Sequence, residues 1–117
     1  MISSKELYIF SHKTFSPIRA LSIDGFTWIA LEDVLKNLQI KNWNDVSENV
    51  PDYEIRNCEI PDVNATTSQL KFISIGGLHC LNKSLPVSDF KFMKWISEIN
   101  ETIKIQVPNP EDYQNVA

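Results

Sequence analysis

Residues 72–84 read FISIGGLHCLNKS, and this stretch decides how the rest of the chain is organised. It begins with β-branched and aromatic residues that favour a strand. The glycine pair Gly76-Gly77 then permits a sharp reversal of the backbone at low steric cost. Leu78 and Leu81 start an apolar spacing of three, which indicates a helix. The stretch therefore predicts a strand that turns directly into a short helix.

A second, longer helix follows, because apolar residues recur at the helical period in the next part of the chain. This stripe consists of Phe92, Trp95, Ile96, Ile99 and Ile103. The other side of the helix carries lysines and glutamates whose charges largely offset one another, which is typical of a solvated surface. We expect the Trp95 ring on the stripe to be mostly buried.

The N-terminal part of the chain favours three strands. They are predicted at Glu6–Phe10, Pro17–Ile23 and Phe26–Ile29. The pair Asp24-Gly25 separates the last two and suits the two-residue turn of a hairpin, with a positive φ angle at the glycine. Trp28 lies in an apolar strand, so we expect its ring to be mostly buried as well.

Helical spacing replaces strand alternation after the hairpin. Apolar residues from Leu31 to Leu38 predict one short helix, and those from Trp43 to Val50 predict a second. The alternating stretch Tyr53–Ile60 has no cleanly apolar face, which is typical of an edge strand. A polar loop is predicted from Pro61 to Gln69, before the strand that enters the glycine pair.

Together these elements predict an α+β fold. We expect a small mixed domain, in which a hairpin-containing sheet is packed by short helices and one longer C-terminal helix. A chain of 117 residues is long enough to form one core. Residues 1–107 are predicted to form this single domain. Residues 108–117 are predicted to form a loose tail, because Pro108 and Pro110 oppose regular structure.

The composition is that of a soluble globular protein, since 43% of the residues are apolar and 22% are charged. No apolar run approaches the length that spans a membrane, so we expect no membrane partner. The N-terminus lacks the apolar core of a secretory signal, which favours an intracellular location with free thiols at Cys58 and Cys80. The formal net charge of −4 argues against a domain whose main role is to bind a phosphate backbone.

Residues with catalytic or metal-binding chemistry are few and poorly spaced. His79 and Cys80 are adjacent, whereas Cys58 and His12 lie far from them, and no pair has the spacing of zinc ligands. No serine lies in a nucleophile elbow, and no glycine loop has phosphate-binding spacing. We therefore predict no enzymatic activity, no small-molecule substrate, no cofactor and no metal.

Four segments occur in an order that is typical of one known family. They are Phe15–Arg19, Ile23–Leu38, Phe72–Leu81 and Phe92–Trp95. This succession resembles the Bro-N domain, which is found in baculovirus repeated-ORF proteins and in phage antirepressors. The resemblance covers about residues 15–103, with order and spacing intact. The chain departs from the family pattern at Gln39, where family members tend to have glycine after the first helix.

The resemblance implies a viral or phage-derived regulatory protein that acts in the host cytoplasm or nucleus and binds DNA without catalysis. Phosphates would be contacted by the basic residues outside the self-compensating helix face. These candidate DNA-binding residues are Arg19, Lys36, Lys41, Lys71 and Lys83. The alternative is a protein-interaction module, antirepressor-like or dimerising, without significant affinity for nucleic acid. The acidic net charge favours this alternative.

Overall fold

The computed structural model of the chain describes residues 5–61, 67–86, 89–105 and 113–115. These residues form an α+β domain in which helices pack on an antiparallel sheet, as predicted. The strands are β1 (Lys5–Phe10), β2 (Ile18–Ile23), β3 (Phe26–Ala30), β4 (Ile55–Pro61), β5 (Thr67–Ser74) and β6 (Tyr113–Asn115). The helices are α1 (Leu31–Asn37), α2 (Ile75–Ser84) and α3 (Phe90–Ile105).

The strands lie in the order β4-β5-β3-β2-β1-β6, and each neighbouring pair is antiparallel. Asp24 and Gly25 connect β2 to β3, with Ile23 opposite Phe26. Their φ angles are 52° and 87°, and two positive values define the type I′ turn that matches strand twist. The predicted hairpin is therefore confirmed. The strand β4 lies at one edge of the sheet, which was also predicted.

Side chains on the two faces of the sheet belong to two different apolar clusters, because strand residues alternate in direction. On the face covered by helices, Ile18 and Ala20 of β2 pack with the stripe of α3, and Trp95 is buried there as predicted. On the opposite face, Leu21 joins a smaller cluster around Phe72. The Trp28 ring lies at the margin of this second cluster; most of its surface is covered, as predicted, but it is less deeply buried than Trp95.

Two helices begin at the residue directly after a strand. Helix α1 starts at Leu31, and α2 starts at Ile75, which the sequence pattern assigns to the strand. The glycine pair therefore lies inside the first turn of α2 and does not form the reversal itself. Gly77 serves close packing instead, because a Cβ atom at this position would lie 2.7 Å from Cγ1 of Ile73.

The segment between α1 and β4 differs from the prediction of a second helix over Trp43–Val50. It forms three single 3-10 turns, at Trp43–Asp45, Ser47–Asn49 and Asp52–Glu54. The segment consists largely of Asn, Asp, Ser and Val, which have low helix propensity. The Asn42 side chain caps the first turn, since its Oδ1 accepts a hydrogen bond from the N–H of Asn44 at 3.0 Å, but the backbone leaves helical geometry at Val46, where φ is −123°.

Strand boundaries near the polar loop and the C-terminus also differ from the prediction. The loop predicted over Pro61–Gln69 is shorter, since β4 continues through Pro61 and β5 begins at Thr67; residues 62–66 lie outside the described residues. Within the predicted loose tail, Tyr113–Asn115 pair with β1 as β6, because an edge strand offers unpaired backbone groups. The rest of that tail lies outside the described residues.

Helix α1 ends in a Schellman motif that places Gln39 in the left-handed region, at φ 58°. The N–H of Ile40 donates to the carbonyl oxygen of Leu35 at 2.9 Å, and that of Gln39 donates to Lys36 at 3.3 Å. This conformation is costly for any residue with a Cβ atom but not for glycine.

Gln39→Gly is therefore expected to raise the free energy of unfolding by about 0.5–1 kcal/mol, as measured by urea denaturation. Gln39→Ala retains the Cβ atom and should bring no gain. Equal stabilisation by the two variants would show that the left-handed backbone is not the cause.

Candidate functional site

Arg19 on β2 binds two carboxylates at the start of α1. Its Nε and Nη2 atoms donate to the two oxygens of Asp33, each at 2.9 Å, and Nη2 also donates to Glu32 at 2.7 Å. The backbone N–H of Arg19 donates to Asp33 as well, at 2.9 Å. The side-chain hydrogen bond to Asp33 is the main cause that raises the pKa of Arg19, burial acts against it, and Glu32 adds to the rise. The positive charge of Arg19 is thus offset by two neighbours.

Asn37 connects the C-terminal end of α1 to the segment before β2 by hydrogen bonds. Its Oδ1 accepts a hydrogen bond from the N–H of Ser16 at 2.9 Å, and its Nδ2 donates to the Ser16 carbonyl oxygen at 3.1 Å. Together with the contacts of Arg19, these bonds hold α1 against β2 at both ends of the helix. The first two segments that carry the family resemblance are therefore in direct contact.

Lys71, one of the five predicted DNA-binding residues, lines a groove, and Lys36 and Lys41 lie close in sequence to other residues that line it. This groove, of about 300 Å³, runs between α1, the first 3-10 turn and β5, and Lys71 lines it together with Leu35 and Trp43. Lys36 directly follows Leu35 in the chain, and Lys41 precedes Trp43 by two residues. All three lysine side chains are exposed. We call this region, defined by Lys36, Lys41 and Lys71, the lysine groove.

Arg19 and Lys83 neither line the lysine groove nor lie close in sequence to the residues that line it. Lys83 is exposed in the last turn of α2, outside the set of residues that form the groove. Arg19 is bound to Asp33 and Glu32, as described above. Glu32 also lines the groove, so its carboxylate reduces the positive potential of the neighbouring lysines. The sequence could not indicate this, because Glu32 and Lys71 lie far apart in the chain.

A second cavity, of about 350 Å³, was not predicted from the sequence. It lies beside β3 at the point where this strand extends past β5. Trp28 pairs with Ser74, the last residue of β5, so that Phe26 and Thr27 have no partner in β5. We call it the aromatic cavity. Its defining side chains are Phe26, Thr27, Trp28, Tyr53, Asn100 and Lys104.

Thr27 is a buried polar residue within the aromatic cavity, with only 4% of its surface exposed. Its Oγ1 atom is buried and has no hydrogen-bond partner among the residues that the structure describes. An unpaired buried hydroxyl costs about 1–3 kcal/mol and therefore calls for an explanation. The sequence indicates that Thr27 is buried, because strand alternation places it on the same inward face as the apolar Ile29.

The first turn of α2, which borders the aromatic cavity, is closed by side chains of the chain itself. Ser74 Oγ accepts a hydrogen bond from the N–H of Gly77 at 2.9 Å, and Ser74 donates to the carboxylate of Glu54. This carboxylate lies against Gly76, where an added Cβ atom would be 3.2 Å from its oxygens. Glu54 thus occupies the positive end of the helix dipole, where an external anion would otherwise bind.

His12 and Cys58 have surroundings that explain them as structural residues. The His12 ring packs on Phe15 and Trp95 at centroid distances of 4.8 and 4.9 Å, and its Nδ1 accepts a hydrogen bond from Thr14. Cys58 is buried and free. Across residues 5–61, 67–86, 89–105 and 113–115, no three His, Cys, Asp or Glu residues are grouped so that they could hold a metal ion.

Among the described helices, none combines the length and the apolar character that crossing a membrane requires. No family model, curated protein or solved structure matches the chain.

Proposed function

We propose that this chain is a viral or phage-derived Bro-N-like module that binds DNA inside the host cell, serves a regulatory role and has no enzymatic activity. The observation that carries the proposal is the position of exposed Lys71 in the lining of one groove, with Lys36 and Lys41 exposed and close in sequence to other residues that line it. The order of the Bro-N-like segments supports it.

Binding at the lysine groove would be electrostatic in origin. Exposed ammonium groups neutralise DNA phosphates and release the counterions condensed on them, a term that carries little sequence information. Arg19 has a different role in this proposal, because its guanidinium already binds Asp33 and Glu32. It positions α1, and thereby Lys36, while the lysines contact phosphate. Lys83 would contribute only if the DNA extends to the end of α2.

A duplex-binding titration by fluorescence anisotropy tests the proposal. Three phosphate contacts correspond to a slope of about −2.7 in log affinity against log salt, so affinity should fall roughly 40-fold between about 50 and 200 mM salt. The double variant Lys36→Glu with Lys71→Glu should lower affinity at low salt by at least about tenfold, and should reduce the slope by about 2.

The matched control reverses the same number of charges elsewhere. Lys91→Glu with Lys94→Glu changes two exposed lysines of α3 and leaves the lysine groove intact. We expect this variant to change duplex affinity by less than about threefold at the higher salt concentration, where exposed charges farther away are screened. Equal losses from the two double variants would show that net charge, and not the lysine groove, governs binding.

A protein-interaction module is the second candidate, favoured by the net charge of −4 and by the offset charge of Arg19. Under this alternative, micromolar protein would not bind duplex DNA even at low salt. Size-exclusion chromatography with light scattering would instead reveal a dimer or a partner complex. The variant with Lys36→Glu and Lys71→Glu would serve both assays, because it tests the same surface for DNA and for protein contacts.

A further inference from the structure

Strand β5 is longer than the part of it that pairs with β3, so one side of β5 is left open. Strand β3 pairs only with residues 72–74 of β5, because the chain enters α1 at Leu31. On its other side, β5 pairs with β4 over residues 67–73. Among the described residues, the first part of β5, residues 67–71, therefore has a strand neighbour on one side only.

The hairpin of β2 and β3 determines which backbone groups of β5 face this open side. In a two-residue hairpin, the pair next to the turn exchanges both hydrogen bonds, and bonded pairs then alternate with non-bonded pairs along each strand. The first bonded pair here is Ile23 with Phe26. The same alternation turns Ile29 toward β5, where it forms a bonded pair with Ile73. The N–H and C=O groups of Gln69, four residues before Ile73, therefore also point away from β4, toward the open side.

The open side of β5 forms one wall of the lysine groove. The groove is lined from β5 by Gln69, Leu70 and Lys71, and from the neighbouring elements by residues that include Leu35 and Trp43. The side chains of Leu70 and Lys71 point to opposite faces of the sheet, so a groove that both residues line lies at the edge of the strand. In the part of the chain that the structure describes, no strand or side chain forms a hydrogen bond with the backbone of Gln69 on this side. The lysine groove therefore exposes unpaired strand backbone.

We propose that the lysine groove binds an extended, acidic peptide segment of a protein partner, which adds to β5 as a further strand. Main-chain hydrogen bonds to Gln69 pair the segment with β5, and this pairing supplies affinity that does not depend on side chains. Apolar side chains of the segment pack on Leu35 and Trp43, which are only partly buried. Its carboxylates meet the exposed ammonium group of Lys71.

Backbone hydrogen bonding and charge together select this occupant. A strand edge presents donors and acceptors, and the carbonyl oxygen of Gln69 needs a donor, which a peptide N–H supplies and an ionised phosphate does not. The carboxylate of Glu32, which also lines the groove, is bound to Arg19. Lys71 has no ion pair among the described residues. The positive charge left at the groove therefore favours carboxylates over ammonium groups in the added strand.

Peptide pools of defined pattern test both the charge of the segment and its pairing with β5. The acidic pool consists of fluorescein-labelled heptapeptides with Glu at alternate positions and Val, Ile, Leu or Phe between them. It is titrated by anisotropy at about 50 mM salt, where exposed charges are weakly screened. A basic pool with Lys in place of Glu should bind at least about tenfold more weakly.

Two further acidic pools carry N-methyl groups on alternate amides, in the two possible phases. The positions of Glu determine which amides face β5, so only one phase removes the N–H groups that pair with the strand. We expect that pool to bind at least about tenfold more weakly than the unmethylated acidic pool. The pool of the other phase should keep its affinity within about threefold, because its methyl groups point away from β5.

Proline variants assign the binding to the open side of β5. Gln69→Pro removes the N–H that faces the lysine groove without removing a hydrogen bond to β4, and should lower affinity for the acidic pool at least about fivefold. Asn57→Pro is the matched control, because Asn57 is exposed on β4 and its N–H faces away from β5, at the opposite edge of the same strand pair. We expect this control to change the affinity by less than about threefold, since the lysine groove is left intact.

Amide hydrogen exchange in the unmodified chain gives a readout that does not depend on the folding of either variant. The acidic pool should slow exchange of the Gln69 amide, measured by NMR, at least about tenfold, because a paired N–H is protected.

Several results would overturn the proposal. The acidic pool at about 1 mM, a concentration that detects even weak binding, leaves exchange of the Gln69 amide unchanged. The acidic and basic pools bind equally, or the two N-methylated pools do. Finally, Asn57→Pro removes binding while Gln69→Pro does not, which would place the added strand at the outer edge of β4.

The inference rests on the proposed function in one respect, which is that peptide and duplex DNA compete for the same lysines. The acidic pool should displace labelled duplex from the unmodified chain, and Gln69→Pro should weaken this displacement. The variant with Lys36→Glu and Lys71→Glu should weaken the binding of both ligands. Peptide binding without duplex binding would overturn the proposed function and leave this inference standing, so the two failures are distinguishable.

Discussion

Trp95→Ala is expected to lower the free energy of unfolding by about 3–5 kcal/mol, the range typical of deleting a large core aromatic. The ring is only 6% exposed, and it joins α3 to the segment between β1 and β2. It stacks on Phe15 with a centroid distance of 5.6 Å and an interplanar angle of 10°, and His12 packs against it as well. Removing the indole therefore leaves a cavity and removes its ring contacts with Phe15 and His12, although Phe15 keeps its contact with Phe92 of α3 at 5.5 Å.

Urea denaturation monitored by far-UV circular dichroism measures this loss. Phe90→Ala deletes an exposed aromatic ring from the same helix, and we expect it to change the free energy of unfolding by less than about 0.5 kcal/mol. A loss below about 1 kcal/mol for Trp95→Ala would mean that the ring is not part of the core.

Asp33→Ala is expected to lower the free energy of unfolding by about 2–3 kcal/mol. The Asp33 side chain is 14% exposed and accepts hydrogen bonds from the Arg19 side chain and backbone. Its removal leaves a partly buried guanidinium with one exposed partner and a backbone N–H with none of its present acceptors. The start of α1 also loses a carboxylate that suits the helix dipole.

Glu32→Ala is the control for Asp33→Ala, because it removes the other carboxylate bound to Arg19. The Glu32 side chain is 67% exposed, so solvent screens its interaction and its removal should cost less than about 1 kcal/mol. The free energy of unfolding of both variants is measured by urea denaturation. Comparable losses would show that the hydrogen bonds of Asp33 add no stability beyond the effect of its charge.

Local patterns in the sequence were sufficient for the elements whose geometry is set by near neighbours. Asp24-Gly25 form the predicted hairpin turn, and the apolar stripe of α3 is buried as its spacing indicates. The same reasoning failed over Trp43–Val50, where residues of low helix propensity predominate and helical geometry ends at Val46. Periodicity alone does not register these propensities.

The candidate sites were harder to predict, because they depend on contacts between distant parts of the chain. Counting charges selected Arg19 as a DNA contact, but Asp33 and Glu32 reach it only after α1 has packed against β2. The aromatic cavity needs the end of β5, the turn at Tyr53 and the helix α3 in one place. A single polar residue on an inward strand face, Thr27, was the one local sign of it.

Strand β3 runs directly into α1, and β5 runs directly into α2. These direct connections restrict where residues can be inserted or deleted. Each helix residue advances the side-chain direction by about 100°, so one residue inserted at Leu31 or Ile75 would rotate an entire helix away from the core. A shift taken up by the strand would instead exchange its two faces. The short turns between α1 and β4, by contrast, can take up an added residue locally.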